Sequence, residues 1–314
     1  MKKIIVHTPQ NEHSWNYRYY NIFFKNFIDF LKTNFEVEED CYFEKANMSY
    51  YPVKLLNDYT NSLMLECEMI IENTETLDFV VLSVSDELTG SILNHHSNPY
   101  CKKIIYSQFD EDKLIRHIGE NNLSKYSPWI YFPSNLFDID LIHDERNSLS
   151  NFIDKFYFRG TSIEDRKILS YFDDEFFVGG LPIGDFNVYA RDLIKHKAAL
   201  SISGRGEFCY RDIENFGLGV PILRFEYINK MAVPLIPNYH YISIDRPEEL
   251  KIDRLGDASH TKMIVDRFLE VKDDVGFLNF ISTNARKYYD DYLSMENSIK
   301  LTYKLLGLDE WEQQ

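Results

Sequence analysis

The chain has 314 residues, 44% of them hydrophobic and 27% charged, a length that suits two globular domains better than one core. No stretch reaches the roughly 20 apolar residues of a membrane helix, which argues against a helical membrane protein. A formal charge of −16 argues against nucleic-acid partners, and any anionic small ligand must be held locally by arginines and backbone amides.

The start, Met1 to His7, is followed at once by polar residues, so it reads as a first strand, Lys3 to His7, and not as a signal peptide. A cytosolic location is therefore expected. A polar loop, Thr8 to Trp15, leads to a helix near Tyr17 to Thr33, where Ile22, Phe23, Phe27, Ile28, Phe30 and Leu31 recur at helical spacing. The apolar runs Met69 to Ile71, Phe79 to Val84, Lys103 to Tyr106 and Trp129 to Phe132 read as short buried strands of a mostly parallel sheet. The segment from Met69 to Glu75 also fits a hairpin at the sheet edge.

Polar, acidic residues from Pro133 to Asn151 mark a linker, after which the alternation restarts. Strands are expected at Lys155 to Phe158, Phe176 to Val178, Ala199 to Ser203, Val220 to Phe225 and Tyr241 to Asp245. Helices are expected at Ser162 to Tyr171, Phe186 to Lys195 and Phe208 to Phe216, with a helical tail beyond Asp257. The predicted fold class is α/β, with Rossmann-like domains over residues 1–145 and 146–314 facing a cleft and helices at the C-terminus.

Cys41, Cys67, Cys101 and Cys209 lie far apart without a CxxC pair, which predicts reduced thiols and neither zinc nor disulfides. The sequons at Asn47 and Asn122 carry little weight. The 22 Tyr and 23 Phe fit core packing and an A/T-rich coding bias, with sugar stacking as the second reading.

Two segments carry the chemistry. The first, Asp154 to Arg166, reads as a strand, a turn at Gly160, then a helix start at Thr161 and Ser162. Glycine lets amides approach a ligand, the helix N-terminus favours an anion, and Arg159 falls at the ligand-facing carboxyl end of the strand. The same residues fit a plainly capped helix beside a surface arginine. The second, Ala199 to Leu223, is strand, Gly-rich turn (Ser203, Gly204, Arg205, Gly206), helix, glycine, strand. Arg211 and Glu214 share a helix face, the arginine suited to phosphate and the carboxylate to a ribose diol. A solvent-exposed pair after an ordinary turn is the plainer alternative.

In this order and spacing, the two segments resemble the donor half of the protein O-glucosyltransferase and capsule-associated (lipopolysaccharide-modifying) glycosyltransferase family. Its F-R-G-[ST] turn is matched by Phe158-Arg159-Gly160-Thr161, with Arg166 following. Its aromatic-arginine helix start is matched by Tyr210-Arg211, its small residue and strand by Gly219 to Leu223, and its H-Y-[IV] strand by His240-Tyr241-Ile242. The match covers Tyr157 to Asp245. It implies a GT-B fold and sugar transfer from a nucleotide diphosphate sugar to a glycan hydroxyl. In the wider superfamily a glutamate five residues before this glycine holds the donor ribose, and Glu214 stands five before Gly219; Glu226 is the other ribose candidate. Glu207 is one residue off the E-x7-E spacing of retaining members, so an inverting mechanism is expected.

An inverting enzyme needs a base near the acceptor hydroxyl. Loop positions after the first and third apolar strands supply candidates: Glu12 and His13, and Asp86 or Glu87, with Asp86 favoured over His13. Asp86 also fits a helix cap. Asp110-Glu111-Asp112 and Asp138-Ile139-Asp140 resemble D-x-D metal motifs but follow no clear strand, and His95-His96 has no ligand-spaced companion, so no metal and no cofactor are expected. A GT-B-shaped sugar-nucleotide epimerase and a two-lobed small-molecule binding protein are the alternative readings. The A/T-rich signature suggests a microbial or viral source and a surface glycan as acceptor.

Overall fold

The computed structural model describes residues 1–9, 15–42, 44–45, 48–49, 68–83, 95, 98–107, 109–129, 138–160, 169–180, 182–202, 207–248 and 258–313. The chain forms two compact units: Met1–Ser134, Asn229–Val233 and Met295–Gln314 make unit 1, and Asn135–Ile228 and Pro234–Ser294 make unit 2.

In unit 1, β1 (Lys3–Pro9) leads into α1 (Trp15–Leu31) and returns as β2 (Glu36–Tyr42), with a two-stranded pair β3 (Glu44–Lys45) and β4 (Met48–Ser49) after it. Strands β5 (Glu68–Asn73), β6 (Phe79–Ser83), β7 (Cys101–Tyr106) and β8 (Tyr126–Pro128) complete the sheet, and α2 (Glu111–Ile118) joins the last two. The strand order is β2-β1-β5-β6-β7-β8. Strand β5 runs antiparallel to both β1 and β6, and the other pairings are parallel. The hairpin is thus present, but in the sheet interior and not at its edge. Ile70 and Ile71 are fully buried between two neighbours, whereas the acidic β2 takes the edge. There Lys3 pairs with Glu38 at 2.8 Å and Lys32 with Glu39 at 2.7 Å, so a strand too polar to read from periodicity is held by its flank.

The last helices, α8 (Met295–Leu305) and α9 (Leu308–Gln313) in the numbering completed below, belong to unit 1, unlike the expected division at 145/146. Trp129 Nε1 donates to Thr302 Oγ1 at 2.7 Å, and the Phe30 ring meets Tyr303 edge-on at 5.4 Å. The excursion Asn229–Val233 also joins unit 1, where the Lys230 amide donates to the Phe109 carbonyl at 3.2 Å.

Unit 2 opens with α3 (Ile139–Asn147) inside the stretch expected to be a linker. Its Arg146 is buried and donates to the carbonyls of Gly219 and His196, each at 3.1 Å, which ties the helix to the domain. Strands β9 (Ile153–Arg159), β10 (Phe177–Gly180), β11 (His196–Leu200), β12 (Ile222–Phe225) and β13 (Ile242–Ile244) form an all-parallel sheet in the order β10-β9-β11-β12-β13. Helices α4 (Phe186–Leu193) and α5 (Tyr210–Leu218) cover one face. On the other, α6 (Ala258–Val271) and α7 (Val275–Tyr288), extended by a π turn at Tyr289–Leu293, close the core on Phe156, Phe158, Leu200, Leu223 and Ile242. Two Rossmann-like α/β units are therefore present. Among the described residues, no helix is long and apolar enough to cross a membrane.

The acidic triplets have structural partners: Asp110 caps α2 by accepting from the Lys113 amide at 2.8 Å, and Asp140 pairs with Arg286 at 2.6 Å. Gly217, within α5, lets α3 and the π turn approach closely, because a Cβ there would lie 2.2 Å from Ile139 Cδ1 and 3.0 Å from Tyr289 Cε2. Alanine normally gains up to about 1 kcal/mol over glycine in a helix. Here Gly217→Ala is expected to lower stability by about 1–3 kcal/mol through overpacking, measured by urea unfolding; a gain would disprove this packing.

Candidate functional site

A parallel sheet of order 2-1-3-4-5 reverses its winding between the first and third strands, and the crevice outside their carboxyl ends is the customary ligand position. In unit 2 these strands are β9 and β11, and the two segments singled out in the sequence follow them directly.

Along β9, Phe156 and Phe158 enter the core while Tyr157 takes the opposite face against Tyr189 and His196, with ring centroids at 6.1 and 4.7 Å. Arg159 ends the strand. Its Nε lies 3.9 Å from Asp192 Oδ2, which also accepts from the Tyr157 hydroxyl at 3.0 Å. Burial first, and the neighbouring Asp192 charge second, raise the Tyr157 pKa well above the ordinary tyrosine value, so the phenol keeps its proton and donates. Gly180 lies beside Arg159 because a Cβ there would sit 2.6 Å from Nη1, and its carbonyl accepts from the Gly160 amide at 3.2 Å. Arg159 Nε is buried without a hydrogen-bond partner among the described residues.

After β11, a buried polar network holds both sides of the Gly-rich turn. Asp212 on α5 accepts from Ser201 Oγ at 2.5 Å, from the Cys209 amide at 2.8 Å and from Arg224 Nη1 at 3.0 Å. Arg224, 2% exposed, also donates to the Glu207 carbonyl at 3.2 Å and lies 3.4 Å from the Tyr227 ring centroid. Burial opposes its charge, but Tyr227, Asp212 and Glu207 outweigh that and hold its pKa above the usual arginine value. Glu207 is fully buried: its carboxylate takes the Arg246 guanidinium and the Ile228 amide, each at 2.8 Å. Its position off the E-x7-E spacing therefore coincides with a structural ion pair.

The structure brings the two segments together at Arg211, whose Nε donates to the Arg159 carbonyl at 2.8 Å while its guanidinium carbon stands 4.6 Å from the Phe158 ring centroid. The Nε proton is used in that bond, which orients the planar guanidinium. Glu214, half-buried one turn along α5, has its pKa pushed up to about 7 by desolvation and by Asp212, against the lowering of Arg211. Tyr189 is raised well above its ordinary value by burial first and then by the Glu214 charge. Tyr210 opens α5, and Glu226, at the end of β12, accepts from Ser243 Oγ at 3.1 Å. His240 is a loop residue before β13; it accepts the Ile236 amide at 2.9 Å on Nδ1, and burial lowers its pKa to about 4. Glu12, His13, Asp86, Thr161, Ser203, Gly204, Arg205 and Gly206 lie outside the described residues.

Sequence reading missed Asp192, Gly180, Asp212, Arg224 and Arg246. Only Asp212 had a local signal, three residues after Cys209 where a capping carboxylate fits. The others are joined to the site by contacts 12 to 39 residues apart in the chain.

No protein-family model matches this chain, and no curated protein is significantly similar to it. Among solved structures it is similar to a glycine-to-arginine mutant of S. aureus TarM solved with fondaparinux, α-GlcNAc-glycerol and UDP, at 11% identity and a TM-score of 0.41, covering 68% of this chain and 45% of that one. It is also similar to the pneumococcal O-GlcNAc transferase GtfA in complex with UDP and GlcNAc, at 12% identity and a TM-score of 0.40, over 71% of this chain and 49% of that one. A further TarM structure gives 11% identity and a TM-score of 0.37 over 83% and 69%. The chain spans about half the length of the first two. At such scores no common fold follows, and the fold of this chain rests on its own strand order.

The Asp212–Arg224 pair is the frame of the site, so removing one charge leaves the other buried and unmatched. Arg224→Met is expected to lower stability by about 3–5 kcal/mol in urea unfolding, and a second change, Asp212→Leu, to restore part of it. A loss under about 1 kcal/mol in the single variant would show that the pair does not hold this frame.

Proposed function

We propose that this chain is a GT-B-type glycosyltransferase that moves a sugar from a nucleotide diphosphate sugar to a hydroxyl of a glycan acceptor. The observation that carries this reading is the bond from Arg211 Nε to the Arg159 carbonyl, which ties the start of α5 to the end of β9 at the winding reversal of a parallel sheet. The crevice at such a reversal is the customary position for a nucleotide's phosphates. The family resemblance of Tyr157 to Asp245 adds the sugar-nucleotide class.

In this reading Arg159, Arg211 and the amides of Gly160 to Ser162 and Ser203 to Gly206 hold the donor diphosphate, Tyr210 stands beside them, and Glu214 or Glu226 accepts from the ribose diol. The first 145 residues take the acceptor. Asp86 or His13, with Glu12 as a further candidate, takes the acceptor hydroxyl proton while its oxygen bonds to the anomeric carbon. The bond from that carbon to the diphosphate oxygen breaks, its electron pair leaves with the nucleotide, and configuration inverts. The charge released onto the diphosphate is met by Arg159 and Arg211, so no metal or cofactor is needed.

Arg211→Ala is expected to reduce donor hydrolysis or transfer at least 100-fold, about 2.7 kcal/mol of transition-state stabilisation, with the melting temperature little changed. Retained turnover in the folded variant would end the assignment. A thermal-shift screen tests the ligand class: stabilisation by UDP, GDP or dTDP, with none by free sugars or amino acids, is expected of the transferase.

The Glu214 carboxylate gives a pH test. With its pKa raised to about 7, the group is mostly ionised above that pH and mostly protonated below it. A ribose diol donates only to the ionised form, so nucleotide affinity should rise roughly tenfold from pH 6 to pH 8. Glu214→Gln should bind weakly at both pH values without that slope. An unchanged slope in the variant would transfer the ribose role to Glu226.

A further inference from the structure

A second cationic cluster lies in unit 1, at the amino-terminal ends of β6 and β7. A cavity of about 360 Å³ opens there among Lys102, Lys103, Lys304, Asp78, Glu310 and Trp311. Its volume is within the range of small-ligand sites. Parallel strands present their carboxyl ends to substrate, whereas this cavity sits at the opposite edge, about one strand length or roughly 15 Å away.

In a chain of net charge −16, three lysines line one cavity with two carboxylates, Asp78 and Glu310, an excess of positive charge that needs an explanation. Among the described residues, Lys102 is the one of the three in an ion pair, with Asp78 Oδ1 at 3.0 Å. Lys103 is half-buried and donates to the Ser124 carbonyl at 3.5 Å; among the described residues neither it nor the exposed Lys304 forms an ion pair. Desolvation lowers the Lys103 pKa, with Glu310 opposing, so the ammonium gains from any anion that enters. Trp311, Leu305 and Leu306 add an apolar part to a lining that is mostly polar. No arginine lines it. Ammonium groups act as compact point charges without the planar fork that matches a carboxylate, which favours a tetrahedral oxyanion approached from several sides.

We propose that this cavity is a binding site for a small phosphate-bearing anion, held by Lys103 and Lys304 with Lys102 at its rim, and separate from the diphosphate position on unit 2. The site does not depend on the transferase reading.

The test is calorimetric titration of the full-length chain carrying Arg211→Ala, which weakens the unit 2 position, with inorganic phosphate and with a hexose 6-phosphate. Saturable binding at millimolar or lower concentration is expected for at least one ligand. Adding Lys304→Glu, a change at an exposed position, should weaken it at least tenfold, and Lys103→Met should do the same with the melting temperature preserved. Equal affinity for the two ligands would identify free phosphate as the occupant, and tighter binding of the hexose phosphate a phosphorylated metabolite; both support the site. No binding by either ligand, or binding unchanged by Lys304→Glu, would overturn it.

Discussion

The pair of Asp212 and Arg224 fixes the frame on which the candidate site is built. Two charges this deep in a protein interior are costly unless each finds several partners, and here each does. Asp212 gathers a hydroxyl, an amide and a guanidinium, while Arg224 reaches back to the carbonyl of Glu207. Ser201 and Glu207 stand on either side of the Gly-rich turn. The network thus fixes Ser201 after β11 and Glu207 ahead of α5. Glu207 passes the constraint on through Arg246 to the end of β12, since Arg246 Nε donates to the Glu226 carbonyl at 2.7 Å.

Around this frame the charges are sorted by role. The buried cations are matched by carboxylates and backbone carbonyls. Among the described residues Arg211 is hydrogen-bonded through Nε, and Arg159 has Asp192 beside it at a distance longer than a hydrogen bond. In a strongly acidic protein, two incompletely matched arginines at the end of a parallel sheet concentrate positive potential where the chain as a whole supplies none. Glu214 adds a carboxylate poised near neutrality, a perturbation of the kind that gathers at functional sites.

Several elements were legible before folding because their signal is local. The β9 and β11 segments and α5 follow from short apolar runs, a glycine turn and helical spacing, and they fall within a few residues of expectation. The acidic β2 was invisible because it is an edge strand, whose exposed positions carry charge instead of alternation. The hairpin at β5 was read, but its insertion between β1 and β6 depends on pairing partners that no local pattern names. Helix α3 lies in a stretch whose polarity reads as a linker; it buries only Ile139, Ile142 and Arg146, and the last is a charged residue satisfied by distant carbonyls.

From the sequence alone came the α/β class and the two motif segments, because strand periodicity, turn glycines and helix spacing are properties of neighbouring residues; the donor role proposed for Arg159, Arg211 and Glu214 came from the family resemblance. Tertiary structure decided that Arg211 bonds to the backbone of Arg159, that the terminal helices belong to unit 1, and that Asp212, Arg224, Glu207 and Arg246 form one buried network. Those outcomes depend on which strands lie side by side, and strand order is set by packing over separations that local spacing does not encode.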